Sequence, residues 1–421
     1  MKKTAVAAVC VGLAFGGLTA TPAFAADDAP TNVKISWKDD TFEYVHVTWE
    51  ETGDQPNRVF VQSAGSTDEK AVQYVAAGAP NAVDVRKTTL SGLGSLKTFL
   101  QIGVSVGTAD SETSPVALSP EFDTIALGAP KLVSWAGSGT STLQVKWTAG
   151  TPARVDKTPG DPLDRDVPAI SRPVYTLGGG QPSQPAGPAG PATELTFTGP
   201  VAPFGFYVLS ENEWFTGNPS ETVRTGRTQI NATIPTWVVA GSDTVIKGTY
   251  VGAEFVGATL QARNSATSPW YAVASHNVFD GYFEFTVASR GTRQYRVAFA
   301  NATAQDEPSV WYGGYSPAVT TTTQQKAEAV PATPRTVAGE KVDSYLSVSP
   351  EVNGTAQLQR WTGSTWTAVG NVTLKNGAAT GVIHQTTVGT TSYRYYVPAH
   401  TFNGLGVAAA YSNQFALTTY R

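Results

Sequence analysis

An all-β chain built of tandem β-sandwiches is what this sequence predicts, and three observations predict it. The first is a repeat near one hundred residues. Val45-His46-Val47-Thr48-Trp49 is answered by Leu143-Gln144-Val145-Lys146-Trp147, 98 positions later. Trp270-Tyr271-Ala272-Val273 is answered by Trp366-Thr367-Ala368-Val369 at a spacing of 96, which Tyr315-Ser316 and Tyr411-Ser412 share, as do Gly281 and Gly377. A period of that length is the size of one sandwich. The second observation is alternation of apolar residues in short runs rich in Val, Thr, Tyr, Phe and Trp, with little helical periodicity. The third is punctuation by 41 glycines and 27 prolines, as a chain of strands and turns requires.

The 421 residues open with a pattern expected of a cleaved export signal. Lys2 and Lys3 are its positive end, Ala5 to Leu18 its apolar run, and Ala23-Phe24-Ala25 its small-x-small cleavage site. Residues 1–25 are therefore set aside, and a secreted or extracellular location is expected, the protein being released or held on the surface by non-covalent contacts. Cys10 is the one cysteine and falls in the leader, so the mature chain is expected to be cysteine-free. Disulfides, thiolate metal sites and cysteine nucleophiles are then excluded, and each domain must be held by its apolar core. The formal charge of −4 becomes −6 without Lys2 and Lys3, and no basic block occurs. Nucleic acid is not an expected partner. After the leader no apolar stretch reaches transmembrane length. The end, Gln414 to Arg421, reads as a last strand rather than a sorting tail.

The first domain is assigned to residues 26–127. Asn32–Trp37, Tyr44–Trp49, Arg58–Gln62, Ala82–Val85, Phe99–Val106 and Ser114–Leu118 read as strands A, B, C, E, F and G; strand D finds no clear segment. Val45, Val47 and Trp49 share one face and His46 the other. The second domain is assigned to residues 128–229. Pro130–Trp135 and Leu143–Trp147 repeat the first two strands, and Pro168–Leu177, Thr193–Thr198 and Phe204–Leu209 follow as C, E and F. Between them Gly178 to Pro191 is expected to be a solvated loop or linker. The early Pro30 and Pro130, the apolar-x-Val-x-Trp strand and the late Ser114-Pro115 and Asn218-Pro219 turns resemble fibronectin type III domains. The resemblance covers about 200 residues and implies a sandwich for each.

The third and fourth domains, residues 230–323 and 324–421, share another order. Gly257 to Arg263 carries Leu260-Gln261 and precedes Trp270, a turn at Asp280-Gly281 and Tyr295-Arg296. Gly354 to Arg360 carries Leu358-Gln359 and precedes Trp366, a turn at Asn376-Gly377 and Tyr393-Arg394. Asp-Gly and Asn-Gly are strong hairpin signals. This order looks like the bacterial Ig-like repeats of secreted actinobacterial proteins, over roughly the last 190 residues. It implies fold and no particular activity. Polar joints are expected at Thr225–Thr228 and at Thr320–Gln325, leaving neighbouring domains partly flexible.

Chemistry is sparse. None of the four histidines (His46, His276, His384, His400) has metal-ligand spacing, and no Gly-x-Ser-x-Gly elbow is present. Glu50-Glu51, Asp39-Asp40 and the pair Glu211 and Glu213 are neighbours on single hairpins, not carboxylates facing across a cleft. Asp156, Asp161, Asp164 and Asp166 fit no calcium loop, and Lys157 and Arg165 oppose their charge. No catalytic residue, no metal site and no cofactor is assigned. The candidate ligand-binding residues are loop aromatics: Trp214 and Phe215 between the F and G strands of the second domain, and Trp311, Tyr312 and Tyr315 at the matching place in the third. Sandwich-end loops carry recognition, and exposed rings can stack on sugars or anchor a protein. The alternative is that these rings cover a domain joint or fill a local core. Trp361 and Trp366 are expected as hairpin and core residues.

The sequence therefore predicts a non-enzymatic secreted protein of four sandwiches, serving surface adhesion, extracellular structure or binding of a protein or polysaccharide. A carbohydrate-binding accessory protein using the loop aromatics is the alternative. An enzyme with an unrecognised site in a cleft is a third reading.

Overall fold

The computed structural model describes residues 29–92, 99–108, 111–112, 115–152, 154–155, 157–158, 160–165 and 169–421. The expected leader at 1–25 lies outside the described residues, as do Ser114, Asp156, Asp166 and Pro168. The described residues are 59% strand and 1% helix, an all-β fold. It divides into two compact units: residues 1–129, 149–171 and 210–218, and residues 130–148, 172–209 and 219–421.

In the first unit the strands are β1 (Thr31–Trp37), β2 (Tyr44–Glu50), β3 (Asn57–Ser63), β4 (Glu69–Val75), β5 (Ala82–Arg86), β6 (Phe99–Thr108), β7 (Ser111–Glu112), β8 (Ala117–Leu118) and β9 (Phe122–Asp123). One sheet runs β1-β2-β5 and the other β4-β3-β6, with β7, β8 and β9 also along β6. The strand that no sequence signal marked is β4, paired with β3. It is an edge strand of mostly exposed residues, so the alternation that reveals other strands is missing. Val45, Val47 and Trp49 are buried as their alternation requires, while His46 points outward and bonds Asp84 at 2.8 Å. The core is completed by two residues far away in sequence, Leu163 and Trp214.

The loop around Leu163 explains its aspartates. Asp161 accepts the N–H groups of Asp123 (2.8 Å) and Leu163 (2.7 Å), and Trp37 Nε1 donates to the Leu163 carbonyl at 2.8 Å. Thr158 donates to Asp123, which also accepts the Ile125 N–H. Burial pushes the Asp161 carboxyl up to about 7, against the pull of its two backbone donors. Among the described residues, no group of three or more His, Cys, Asp or Glu converges on a metal position.

The second sandwich holds β10 (Lys131–Ser138), β11 (Thr142–Thr148), β12 (Ile170–Thr176), β13 (Gln184–Pro185), β14 (Glu194–Thr198), β15 (Gly205–Glu211), β16 (Thr216–Pro219) and β17 (Val223–Arg227). One sheet is β10-β11-β14, and β13-β12-β15-β17 lie in the other. The Pro/Gly-rich segment expected as a free loop is partly pinned: Gln184 and Pro185 pair with Tyr175 and Val174, and Ala186 N–H bonds the Pro173 carbonyl at 3.0 Å. Proline is tolerated there because β13 is an edge strand.

Next come β18 (Gln229–Thr233), β19 (Trp237–Val239), β20 (Asp243–Val251), β21 (Val256–Arg263), β22 (Tyr271–Val278), β23 (Tyr282–Ala288), β24 (Arg293–Phe299), β25 (Ala302–Ala304), β26 (Ser309–Tyr312) and β27 (Val319–Gln324). The last sandwich holds β28 (Lys326–Pro331), β29 (Arg335–Val337), β30 (Lys341–Ser349), β31 (Gly354–Trp361), β32 (Trp366–Leu374), β33 (Ala378–His384), β34 (Gly389–Val397), β35 (His400–Phe402), β36 (Leu405–Val407), β37 (Ala410–Tyr411) and β38 (Phe415–Tyr420). Each has a three-stranded sheet, β18-β20-β23 or β28-β30-β33, facing a five-stranded one, β19-β27-β24-β21-β22 or β29-β38-β34-β31-β32. The Asp280-Gly281 and Asn376-Gly377 turns have positive φ at both residues, the hairpin geometry those pairs predict.

One hydrogen-bond device recurs in all four sandwiches. Ser119, Ser220, Ser316 and Ser412 each accept a strand N–H, from Ile102, Val208, Val297 and Tyr395, at 2.9–3.0 Å. Each also donates to the carbonyl of the residue after it. The serines that share this device in the first two sandwiches are Ser119 and Ser220.

The expected polar joints are strands. Thr225–Arg227 belong to β17, which pairs in parallel with β26 from Arg224↔Ser309 to Arg227↔Tyr312. The β25–β26 hairpin thereby extends the preceding sandwich's sheet, and Val310 and Tyr312 enter its core with Trp135, Leu143 and Trp147. Trp135 Nε1 donates to the Ala304 carbonyl at 2.9 Å. Thr320–Gln324 lie in β27, and only Gln325 separates it from β28. The β35–β36 hairpin repeats the device: Ala408 N–H bonds Thr323 and Thr292 N–H bonds Gly406, both at 2.8 Å, and the buried Gln325 amide bonds the Pro398 carbonyl at 2.7 Å. Backbone ladders, not solvated threonines, make these two joints.

Candidate ligand-binding faces

The loop aromatics are mostly spent on cores. The Trp214 ring is 3% exposed, stacked 5.9 Å from Phe122 and tilted 5.0 Å from Trp37. Phe215 packs half-buried against the same cluster. Tyr312 is fully buried, its hydroxyl has no hydrogen-bond partner, and burial pushes that hydroxyl up to about 12. Trp311 is half-buried against the third core and lies over Gly226, where a Cβ would come within 2.6 Å of the ring. Of the five, Tyr315 alone is an exposed ring, at 62%. The reason is the one left open by the sequence: these loops close joints, so an apolar ring there is worth more inside than outside.

Tyr315 belongs to a row of side chains across an open sheet face. Strict alternation on β21 turns Gln261 and Arg263 outward, and on β24 turns Arg296 outward. Register sets Gln261 opposite Arg296 and Arg263 opposite Gln294. Each pair is bonded through the arginine Nε, at 2.8 Å and 2.7 Å. The freed guanidinium planes meet rings: Arg296 lies 4.3 Å from the Trp270 centroid and 3.9 Å from that of Tyr315, and Arg263 lies 4.6 Å from Trp270. Each such contact contributes roughly 0.5–1 kcal/mol at an exposed site.

The fourth sandwich builds the same row. Gln359 faces Arg394, whose Nε donates to it at 2.9 Å. Arg394 lies 4.3 Å from the Trp366 centroid and 3.8 Å from that of Tyr411. Trp361 pairs with Trp366 at 5.4 Å, and Tyr396 with Tyr411 at 5.2 Å. Trp361 and Trp366 are therefore hairpin residues on the face, not core residues; Trp361 and Tyr411 are both exposed. The order Leu-Gln, Trp, Tyr-Arg that marked the repeat in sequence is the order of this row. Its meaning was hidden because only cross-strand register brings Gln, Arg and Trp together.

Burial lowers Arg296 from its ordinary value, and the neighbouring Arg263 charge acts in the same direction; it remains a cation at neutral pH. Among the described residues neither Arg263, Arg296 nor Arg394 forms an ion pair, and their terminal nitrogens bond no protein acceptor. The first unit offers a different feature, a cavity of about 320 Å³ lined in part by Asp123, Asp164, Arg165, Glu211, Asn212 and Glu213. Burial raises the Glu213 carboxyl above its ordinary value. No helix among the described residues is long and apolar enough to cross a membrane.

The sequence matches no family model and no curated protein. Among solved structures, it is similar to the FN1-FN3 domains of chicken CNTN1, at 12% identity and a TM-score of 0.21 over 70% of this chain and 98% of that one. It is also similar to a two-domain fibronectin type III segment of chicken tenascin, at 16% identity and a TM-score of 0.20 over 47% of this chain and 97% of that one.

Proposed function

We propose that this is a secreted, non-enzymatic binding protein: two fibronectin type III-like and two bacterial Ig-like sandwiches, whose ligand-contacting surfaces are the aromatic–arginine rows of the third and fourth. The observation that carries this reading is the duplication of the row. Its rings, Tyr315 among them, stay on the open sheet faces while Trp214 and Tyr312 are withdrawn into cores. A pyranose ring stacks on an exposed Trp or Tyr, so a polysaccharide is the favoured ligand. Clamped joints in the second unit would present the two rows in a fixed relation, which favours a repetitive ligand that both can engage.

Retention of the full chain on a panel of immobilised neutral and acidic polysaccharides tests the reading. At least one should retain it, and Tyr315→Ala/Tyr411→Ala should lose retention while melting close to the parent. Failure to bind any polysaccharide, or binding indifferent to both tyrosines, would overturn it. No turnover should accompany binding. Release of reducing ends, abolished by Glu213→Gln, would instead move the function to the carboxylate-lined cavity of the first unit.

A further inference from the structure

We infer that the ligand of the two rows is an anionic polysaccharide, a chain of uronic acids rather than neutral sugars. This rests on the reading of the rows as glycan-contacting surfaces and names their ligand class.

The argument is one of unspent charge. Arg296 and Arg394 each sit between two rings, and Arg263 shares Trp270 with Arg296. None of the three has a carboxylate partner among the described residues. Their glutamine partners, Gln261, Gln294 and Gln359, are neutral and occupy only Nε. That leaves the terminal N–H pair of each guanidinium, the edge that grips a carboxylate with two parallel hydrogen bonds. The glutamine and the rings fix the plane of the fork beforehand, so little side-chain freedom is lost on binding.

The sign matters because the chain carries a net −4. Guanidinium groups without ion-pair partners beside stacking rings give these faces a local positive charge on a chain of opposite sign. A neutral glycan would use the rings and offer the guanidinium edges hydroxyl oxygens alone, without the charge-assisted bidentate contact of a carboxylate. A uronic acid offers both a pyranose face for Tyr315 or Tyr411 and a carboxylate for the adjacent arginine. An acidic protein partner would satisfy the charge but has no need of flat rings in register.

The probe is polygalacturonate, with dextran as the neutral control, in affinity gels run with the full chain. Mobility should fall with polygalacturonate, stay unchanged with dextran, and recover as salt is added. Arg296→Gln/Arg394→Gln should weaken polygalacturonate retention at least ~10-fold, as expected when charge-assisted hydrogen bonds are lost. Arg296→Lys/Arg394→Lys, which keeps charge but not the fork, should fall between. Equal retention of dextran and polygalacturonate, or retention of dextran alone, would overturn the inference while leaving the glycan-binding reading intact. Retention of neither, nor of any other polysaccharide, would end both. Should the glutamine variant fail to fold, tryptophan fluorescence of the unaltered protein decides: polygalacturonate should quench it and dextran should not, and the absence of that difference would overturn the inference.

Discussion

The third and fourth sandwiches fill the same core in opposite ways. In the third, Ile246 and Phe285 face each other across β20 and β23, and Val297 comes from the opposing sheet. In the fourth, the matching positions are Ser344, Gly381 and Tyr395. The large ring has changed sheets: Phe285 becomes glycine, and Val297 becomes tyrosine. The swap brings a hydroxyl into an apolar interior, which is costly unless it is bonded. Ser344 replaces Ile246 to meet it, with its Oγ 2.6 Å from Tyr395 Oη and donating to the Gly381 carbonyl at 3.1 Å. Together the three substitutions keep one large ring between the sheets and give its hydroxyl a partner, in a set smaller than the third sandwich's. The outward set Gln261, Arg296, Trp270 and Tyr315 recurs as Gln359, Arg394, Trp366 and Tyr411, while Trp361 stands at the place of Arg263. The interior differs in concert while the centre of the face is shared.

The joints diverge as well. The β25–β26 hairpin places Tyr312 in the neighbouring core; at the matching place beyond β36 stands Ala408, held by backbone bonds to its neighbour. Tyr312→Ala should therefore have the largest effect, about 3–5 kcal/mol by analogy with other buried aromatic truncations. Urea denaturation would read it. A loss below about 1 kcal/mol would mean that the buried ring adds little to the backbone pairing at this joint, and would erase the contrast.

Gly381→Ala should come second. A Cβ there would collide with Tyr395 Oη and press on Val372 Cγ1, which lies 3.1 Å from the added atom, so overpacking should cost about 1–3 kcal/mol. The comparison is sharpened by the triple change Ser344→Ile/Gly381→Phe/Tyr395→Val, which installs the third sandwich's set. It should be more stable than Gly381→Phe alone. If it is not, the three positions are not one coupled unit.

Ser344→Ala should have the smallest effect, about 1–3 kcal/mol or less from leaving a buried hydroxyl short of a partner. Adding Tyr395→Phe should return most of that loss, and thermal melts of the single and double variants give the coupling directly. Independent, additive losses would show that the two hydroxyls do not support each other.

Much of the fold was legible in the sequence because alternation records burial directly. Tyr44–Trp49 is read to within a residue of β2, and Asp280-Gly281 and Asn376-Gly377 are the turns they promise to be. What stayed hidden depends on partners distant along the chain. The exposed edge strand β4 has no apolar rhythm. Thr225–Arg227 reads as a polar linker because nothing local shows that Ser309–Tyr312 will pair with it. Trp214 and Tyr312 read as exposed loop rings because the cores that receive them come from remote segments. Of the candidate site, Tyr315 was found as a loop aromatic. Arg296 and Arg394 were seen only as markers of the repeat, since their role appears once Gln261 and Gln359 stand opposite them.

The central claim is that recognition lies on the open sheet faces and not on the buried rings Trp214 and Tyr312. Two variants compared side by side on the polysaccharide panel test it most directly: Tyr315→Ala/Tyr411→Ala, which strips the faces, and Trp214→Phe/Tyr312→Phe, which alters only buried rings. Loss of retention in the first with parental retention in the second is the predicted result; the reverse pattern would contradict the account.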